Sequence, residues 1–134
     1  MISFLSRLFR GRDLGAVLNE TRKVRVHGVV FTIKKISPLD YLDGSQVMLQ
    51  YYDEYKKQVK GEGQLSDSTV KKMRAHFRDV FVNAVVHPKI VREISKDQPA
   101  DPAAIPVEHL FTDMGLANDL YVQIMAYANG KKKL

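Results

Sequence analysis

One segment, Lys23–Lys35 (KVRVHGVVFTIKK), constrains what this chain can fold into more than any other. It is rich in Val, Ile, Phe and Thr, and basic residues alternate with apolar ones over part of its length, as in a strand with one buried face. His27-Gly28 sits where a tight reversal would pair Val24–Val26 with Val29–Ile33. Gly28 suits the positive φ of such a turn, while His is less usual there than Asn or Asp. A lone hairpin is not stable in water, so it must pair with another strand or lie on helices. The rest of the chain has to cover it.

Three segments read as helices that can do so. Ser37-Pro38-Leu39-Asp40 is a helix start: Ser can cap, Pro suits the first helical position, and Asp40 lies at the positive end of the dipole. This helix is expected to reach about Lys57 and to bury Leu39, Leu42, Val47, Leu49 and part of Tyr51, Tyr52 and Tyr55. Gly61-Glu62-Gly63-Gln64 breaks it. Ser66 or Asp67 caps a second helix over 68–86, with a core face of Val70, Met73, Phe77, Val80, Phe81 and Val85. His87-Pro88 ends or kinks it. Lys89–Ile94 is expected to add a further helical turn, and Ser95–Ile105, with Pro99 and Pro102, reads as an exposed connection. In the last thirty residues, Leu116, Leu120 and Ile124 recur at i, i+4 and i+8, flanked by Ala117, Tyr121 and Met125, so one face of a C-terminal helix is apolar. Gly130 is placed to take the left-handed conformation that ends it. The expected fold is mainly α with a small N-terminal β-hairpin: a segment and linker over 1–22, one domain over 23–130, and a basic tail over 131–134.

At 134 residues the chain has the size of one ordinary domain. It contains no cysteine, which removes disulfides, thiolate metal sites and a Cys nucleophile together and fits a cytoplasmic protein. No apolar run approaches the roughly 20 residues that span a bilayer. The net charge of +6 is unevenly placed: residues 1–35 hold eight basic and two acidic side chains, residues 36–130 ten basic and thirteen acidic, and Lys131–Lys133 follow. Basic ends on a mildly acidic body differ from the single basic face, interleaved with aromatics, of a nucleic-acid-binding domain.

Met1–Arg10 (MISFLSRLFR) gathers Ile2, Leu5, Leu8 and Phe9 on one helical side, with Arg7 and Arg10 on another. So short a helix is marginal by itself. Three readings stay open: packing on its own domain, docking on a partner, or lying on a membrane surface. Ser6, Arg7 and Arg10 interrupt the apolar stretch that a signal peptide requires. Ile2, Leu5, Leu8 and Phe9 are the candidate partner-binding residues.

Motifs that carry chemistry are missing from the pattern. The four histidines, His27, His76, His87 and His109, lie in different local settings. His109 and Asp113 at i, i+4 make an incomplete metal site, and Asp113 reads better as the cap of the last helix. Asp40 and Asp43 read as a solvated helix start rather than an acid–base pair. Gly61 and Gly63 lack the following Lys-Ser or Lys-Thr of a phosphate loop. Tyr51, Tyr52 and Tyr55, beside Lys56, Lys57 and Lys60, are the one arrangement that could stack bases. Asp53 and Glu54 oppose phosphate there, and a half-buried ring pair is the better reading. The reading is a non-enzyme with no metal and no cofactor.

The strings IPVEHLFTD (Ile105–Asp113) and LANDLYVQI (Leu116–Ile124), followed by the Gly130–Lys133 ending, resemble the C-terminal part of tail assembly chaperones of long-tailed bacteriophages. FTIKKISPLDYL (Phe31–Leu42) looks like that family's hairpin-to-first-helix junction, and VHPKI (Val86–Ile90) like its central Pro segment. In order, these pieces cover about Phe31 to Lys133. The resemblance implies a protein made in the host bacterial cytoplasm during infection and absent from the mature virion. Such chaperones coat the tape measure protein and help tail tube subunits polymerise around it. Many members of the family also yield a longer product by a minus-one ribosomal frameshift. Lys131–Lys133 permit the A-rich codons this needs, and they equally complement a helix dipole. Two other readings stand beside the chaperone: a structural head–tail connector or tail completion protein, and a small nucleic-acid-binding protein using its basic termini.

Overall fold

The computed structural model describes residues 13–93 and 103–130. The hairpin forms as its sequence dictates. Strands β1 (Thr21–Val26) and β2 (Val29–Lys34) are antiparallel, with Val24 opposite Phe31 and Val26 opposite Val29. His27 and Gly28 make the turn with φ of 50° and 81°, so the histidine itself takes the left-handed conformation. Both remedies for a lone hairpin are used. A third strand, β3 (Val85–His87), pairs antiparallel with β2 across a register shift at Thr32 and Ile33, and helices cover the inner face.

The alternation of the strands decides which face that is. Val24, Val26, Phe31, Ile33 and Val85 are buried, while Lys23, Arg25, Val30, Lys34 and Val86 are exposed. A short helix, α1 (Leu14–Leu18), precedes β1 in the stretch 11–22, whose sequence reads as a linker or a loose helical turn; Asp13 caps it by accepting from the Ala16 amide.

After β2 the chain passes through a 3₁₀ turn (Pro38–Tyr41) into α2 (Leu42–Val59), so the Ser-Pro start begins as a tighter helix than expected, with Pro38 at its first position but no side-chain cap hydrogen bond at Ser37. Helix α3 (Asp67–Ala84) follows, capped by Ser66, whose hydroxyl accepts from the Thr69 amide. The two are antiparallel: Glu54 meets Ser66 and Thr69 near the connecting turn, while Tyr41 at the far end accepts a hydrogen bond from Asn83. The final helix, α4 (Met114–Ala128), is capped by Asp113, which accepts from the Leu116 amide. A 3₁₀ segment (Val107–Thr112) leads into it, and Gly130 leaves it at a φ of 75°. This is a mainly helical α+β fold with a small N-terminal hairpin.

Two expectations are corrected. Of the stretch Lys89–Ile94, the described residues 89–93 do not extend a helix. The chain turns at a cis His87-Pro88 bond into a two-residue strand, β4 (Ile90–Val91), which pairs in parallel with β5 (Ile105–Pro106). Because proline has no amide hydrogen and excludes helix from the residue before it, the chain leaves α3 in extended form. The second correction concerns α2: Leu39, Leu42 and Leu49, expected in the core, are exposed, and Met48 alone is fully buried.

Candidate interaction surfaces

The expected partner-binding residues Ile2, Leu5, Leu8 and Phe9 lie outside the described residues, as do Lys131–Lys133 and most of the Pro-rich connection. Helix α1, next along the chain, buries none of its residues; Leu14 and Leu18, one turn apart, are 69% and 64% exposed.

Of the four histidines, His27 and His76 hold elements together, while His87 on β3 and His109 on the second 3₁₀ segment are exposed. His76 of α3 and Tyr121 of α4 share a buried 2.8 Å hydrogen bond, their rings edge to face. Burial pushes the imidazole pKa down, and it pushes the Tyr121 phenol up to about 12, assisted by the neighbouring Tyr52. Both groups are therefore neutral near pH 7, and the pair sits away from solvent in an aromatic cluster with Phe77, which stacks on Tyr121 at 4.6 Å. Gly44 makes room for it. A Cβ there would lie 1.9 Å from the His76 Nδ1, so any side chain at 44 collides with the ring.

Glu54 accepts from the Ser66 amide and from the buried Thr69 hydroxyl. Those hydrogen bonds, Thr69 foremost, hold its carboxyl below the ordinary range. Glu108 on the second 3₁₀ segment receives Arg74 and Arg78 of α3 at 2.8 and 2.6 Å. Desolvation there raises its pKa, but the arginine hydrogen bonds and charges outweigh this and lower it. His27 and Asp119, 2.6 Å apart, tie the hairpin turn to α4. Arg22 lies 4.1 Å over the Tyr127 ring, and the Lys35 Nζ lies 5.3 Å from the same ring.

The weaker candidates resolve similarly. A non-helical Asp113 interrupts the stretch between His109 and α4, so the two cannot face each other as an i, i+4 helical pair. Tyr51 and Tyr55 stack at 6.2 Å, as a ring pair on a helix face should. Among the described residues no group of three or more His, Asp or Glu could hold a metal ion, and no helix is long and apolar enough to cross a membrane.

Besides α1, two further surfaces stand out among the described residues. One is the outer sheet face, where Lys23, Arg25 and Lys34 flank Val30 and Val86. The other is a stripe on α2: Leu42, Leu49 and Val59 are exposed, Leu49 by 71% and Val59 by 69%, and Tyr52, which neighbours Tyr121 on its inner side, is 40% exposed; Tyr55 is exposed on the adjoining side of the helix. Exposed single leucines are ordinary, but four large apolar residues at spacings of 7, 3 and 7 line one side of a helix. Sequence reasoning had assigned Leu42 and Leu49 to the core because apolar residues surround α2; only the cover on its inner side tells the two faces apart. No protein-family model matches the chain, and neither a curated protein nor a solved structure matches it.

Proposed function

We propose that this chain is a phage tail assembly chaperone that binds the tape measure protein and helps recruit tail tube subunits, acting in the host cytoplasm and leaving before the virion is complete. The observation that carries the reading is the unburied helix α1. It leaves Leu14 and Leu18 exposed, and the sequence before it holds the apolar series Ile2, Leu5, Leu8 and Phe9, so the N-terminal part of the chain is rich in apolar side chains for a partner to cover. A tape measure protein exposes long helical apolar stripes until the tube encloses it, and an amphipathic arm can lie along such a stripe by helix-in-groove contacts. Many weakly bound copies along one rod would shield it and still be displaced by the tube.

Co-purification from cells expressing the surrounding gene cluster tests this. The tape measure protein should be recovered with the wild-type chain and lost with Leu5→Asp/Leu8→Asp, while the Tm stays within about 2 °C. A large loss of stability would make those leucines core, and recovery of the chain in purified particles would make it a connector or tail completion protein. A longer form of the same chain in the eluate would support a frameshift at Lys131–Lys133.

The outer sheet face favours a second reading, an anionic partner such as nucleic acid bound by Lys23, Arg25 and Lys34. Among the described strand residues that are exposed there is no Phe, Tyr or Trp to stack a base, and His87 is the one ring, which ranks it below the first. Binding to DNA or RNA that weakens steeply with salt would raise it.

A further inference from the structure

We infer that two copies of this chain pair through α2, antiparallel, about a two-fold axis passing between Gln50 and Tyr51. The stripe is the reason. Leu42, Leu49, Tyr52 and Val59 are separated by 7, 3 and 7 residues, so the series reads the same in either direction. These are heptad a and d spacings, the ones that keep a seam in line along a helix. An unrelated helical partner imposes no such symmetry on a docking stripe; a two-fold interface does, because residue i must meet residue j while j meets i. Reversal sets Leu42 against the partner's Val59 and Leu49 against the partner's Tyr52, four apolar layers from one stripe. The two remaining layers set Ser45 of each copy against the partner's Lys56, a small residue facing a long stem that can cover apolar neighbours while its ammonium reaches water.

Charge selects the same orientation independently. Asp40 and Asp43 lie at the start of α2, and Lys56 and Lys60 at its end, beside a Lys57 that is paired with Asp53 of the same helix at 3.3 Å and a Glu54 engaged by Ser66 and Thr69. Antiparallel pairing brings the acidic end of each copy to the basic end of the other and opposes the two helix dipoles favourably; parallel pairing sets like against like. The helix is otherwise poorly used, since Met48 is its one fully buried residue. The seam is about 25 Å long and belongs with the smaller specific interfaces, so association at roughly micromolar concentrations is expected. The pairing stands apart from the chaperone reading: it uses α2, not the N-terminal arm.

Sedimentation velocity over a concentration series tests the dimer, and cross-linking tests its direction. The wild-type chain should pass from monomer to dimer, and Leu49→Asp should remain monomeric with the Tm of the dilute wild-type monomer. The chain has no cysteine, so single Leu42→Cys and Val59→Cys variants give an unambiguous readout under mild oxidation. A mixture of the two should form a disulfide-linked dimer, and neither alone should, because like positions lie about 25 Å apart. Linkage of Leu42→Cys to itself would overturn the antiparallel arrangement. A monomer at every concentration would overturn the pairing altogether. If Leu49→Asp then lowered the Tm, the chain's own N-terminal residues would be the cover; if it instead abolished tape measure recovery, the stripe would belong to that partner.

Discussion

Helices α2 and α3 are each eighteen residues long and lie side by side, yet they take opposite parts in the fold. Helix α3 buries Thr69, Met73, His76, Phe77, Val80, Phe81 and Ala84, and touches the sheet, α2, α4 and the second 3₁₀ segment. Helix α2 buries Met48 and turns Leu42, Leu49 and Val59 to solvent. Both are rich enough in apolar residues to be core helices. The difference teaches that apolar content marks a surface to be covered without saying whether the cover comes from the same chain.

The largest effect should come from α3. Phe77 is fully buried and contacts Phe81, Phe111, His76 and Tyr121. Phe77→Ala should therefore cost about 3–5 kcal/mol of unfolding free energy in urea titration. A cost below about 1 kcal/mol would mean that α3 is not the centre of the core. Next is the contact between the two helices. Gly44→Ala places a methyl against an imidazole held by Tyr121, and overpacking of this kind costs about 1–3 kcal/mol. The clash is with the ring, so Gly44→Ala should cost much less in a His76→Ala background. Equal costs in both backgrounds would show that α2 does not approach α3 through that glycine.

The three main helices and the hairpin were legible because each carries local punctuation: His27-Gly28, Ser37-Pro38, Ser66 and Asp113 act within a few residues of themselves. What was not legible depends on distance. The sequence of α2 has apolar residues on both sides, so its inner face could be told only from what α3 presents to it. The strand at Ile90–Val91 is made by pairing with Ile105–Pro106, fourteen and more residues away, and two-residue strands carry no period. Gly44 was overlooked, although a glycine inside a helix costs stability relative to Ala and so suggests a close approach. The His76–Tyr121 pair joins positions forty-five residues apart, and neither residue alone is diagnostic. The predicted partner-binding arm, Ile2 to Phe9, falls outside the described residues; Leu14 and Leu18 carry the structural argument for it.

A smaller effect should appear with acid. Burial lowers the His76 pKa below its ordinary 6.5, against the pull of Asp79, so the unfolded chain takes up a proton more readily than the folded one. Stability from this group is therefore fully present above pH 6.5 and declines as the pH falls toward the folded value. Glu54 and Glu108, both lowered from 4.5, lose their contribution only at more acid pH. Unfolding free energies between pH 7 and 5 should fall in the wild type and more gently in His76→Gln. Identical slopes would mean that α3 does not hold its histidine neutral in the core.

The smallest effect is the one that bears most on α2. Leu49 is largely in solvent, so Leu49→Ala should change the unfolding free energy of the dilute monomer by less than about 0.5 kcal/mol, the range of an ordinary surface substitution. The comparison with Phe77→Ala is then a matter of partner rather than of residue type, since both side chains are large and apolar. A cost of about 2 kcal/mol or more, as for a buried leucine, would place Leu49 under cover within the monomer and would erase the contrast between the helices. A negligible cost at low concentration that grows as concentration rises would locate the missing cover on a second copy, because only an intermolecular contact makes the stability of a residue depend on how much protein is present.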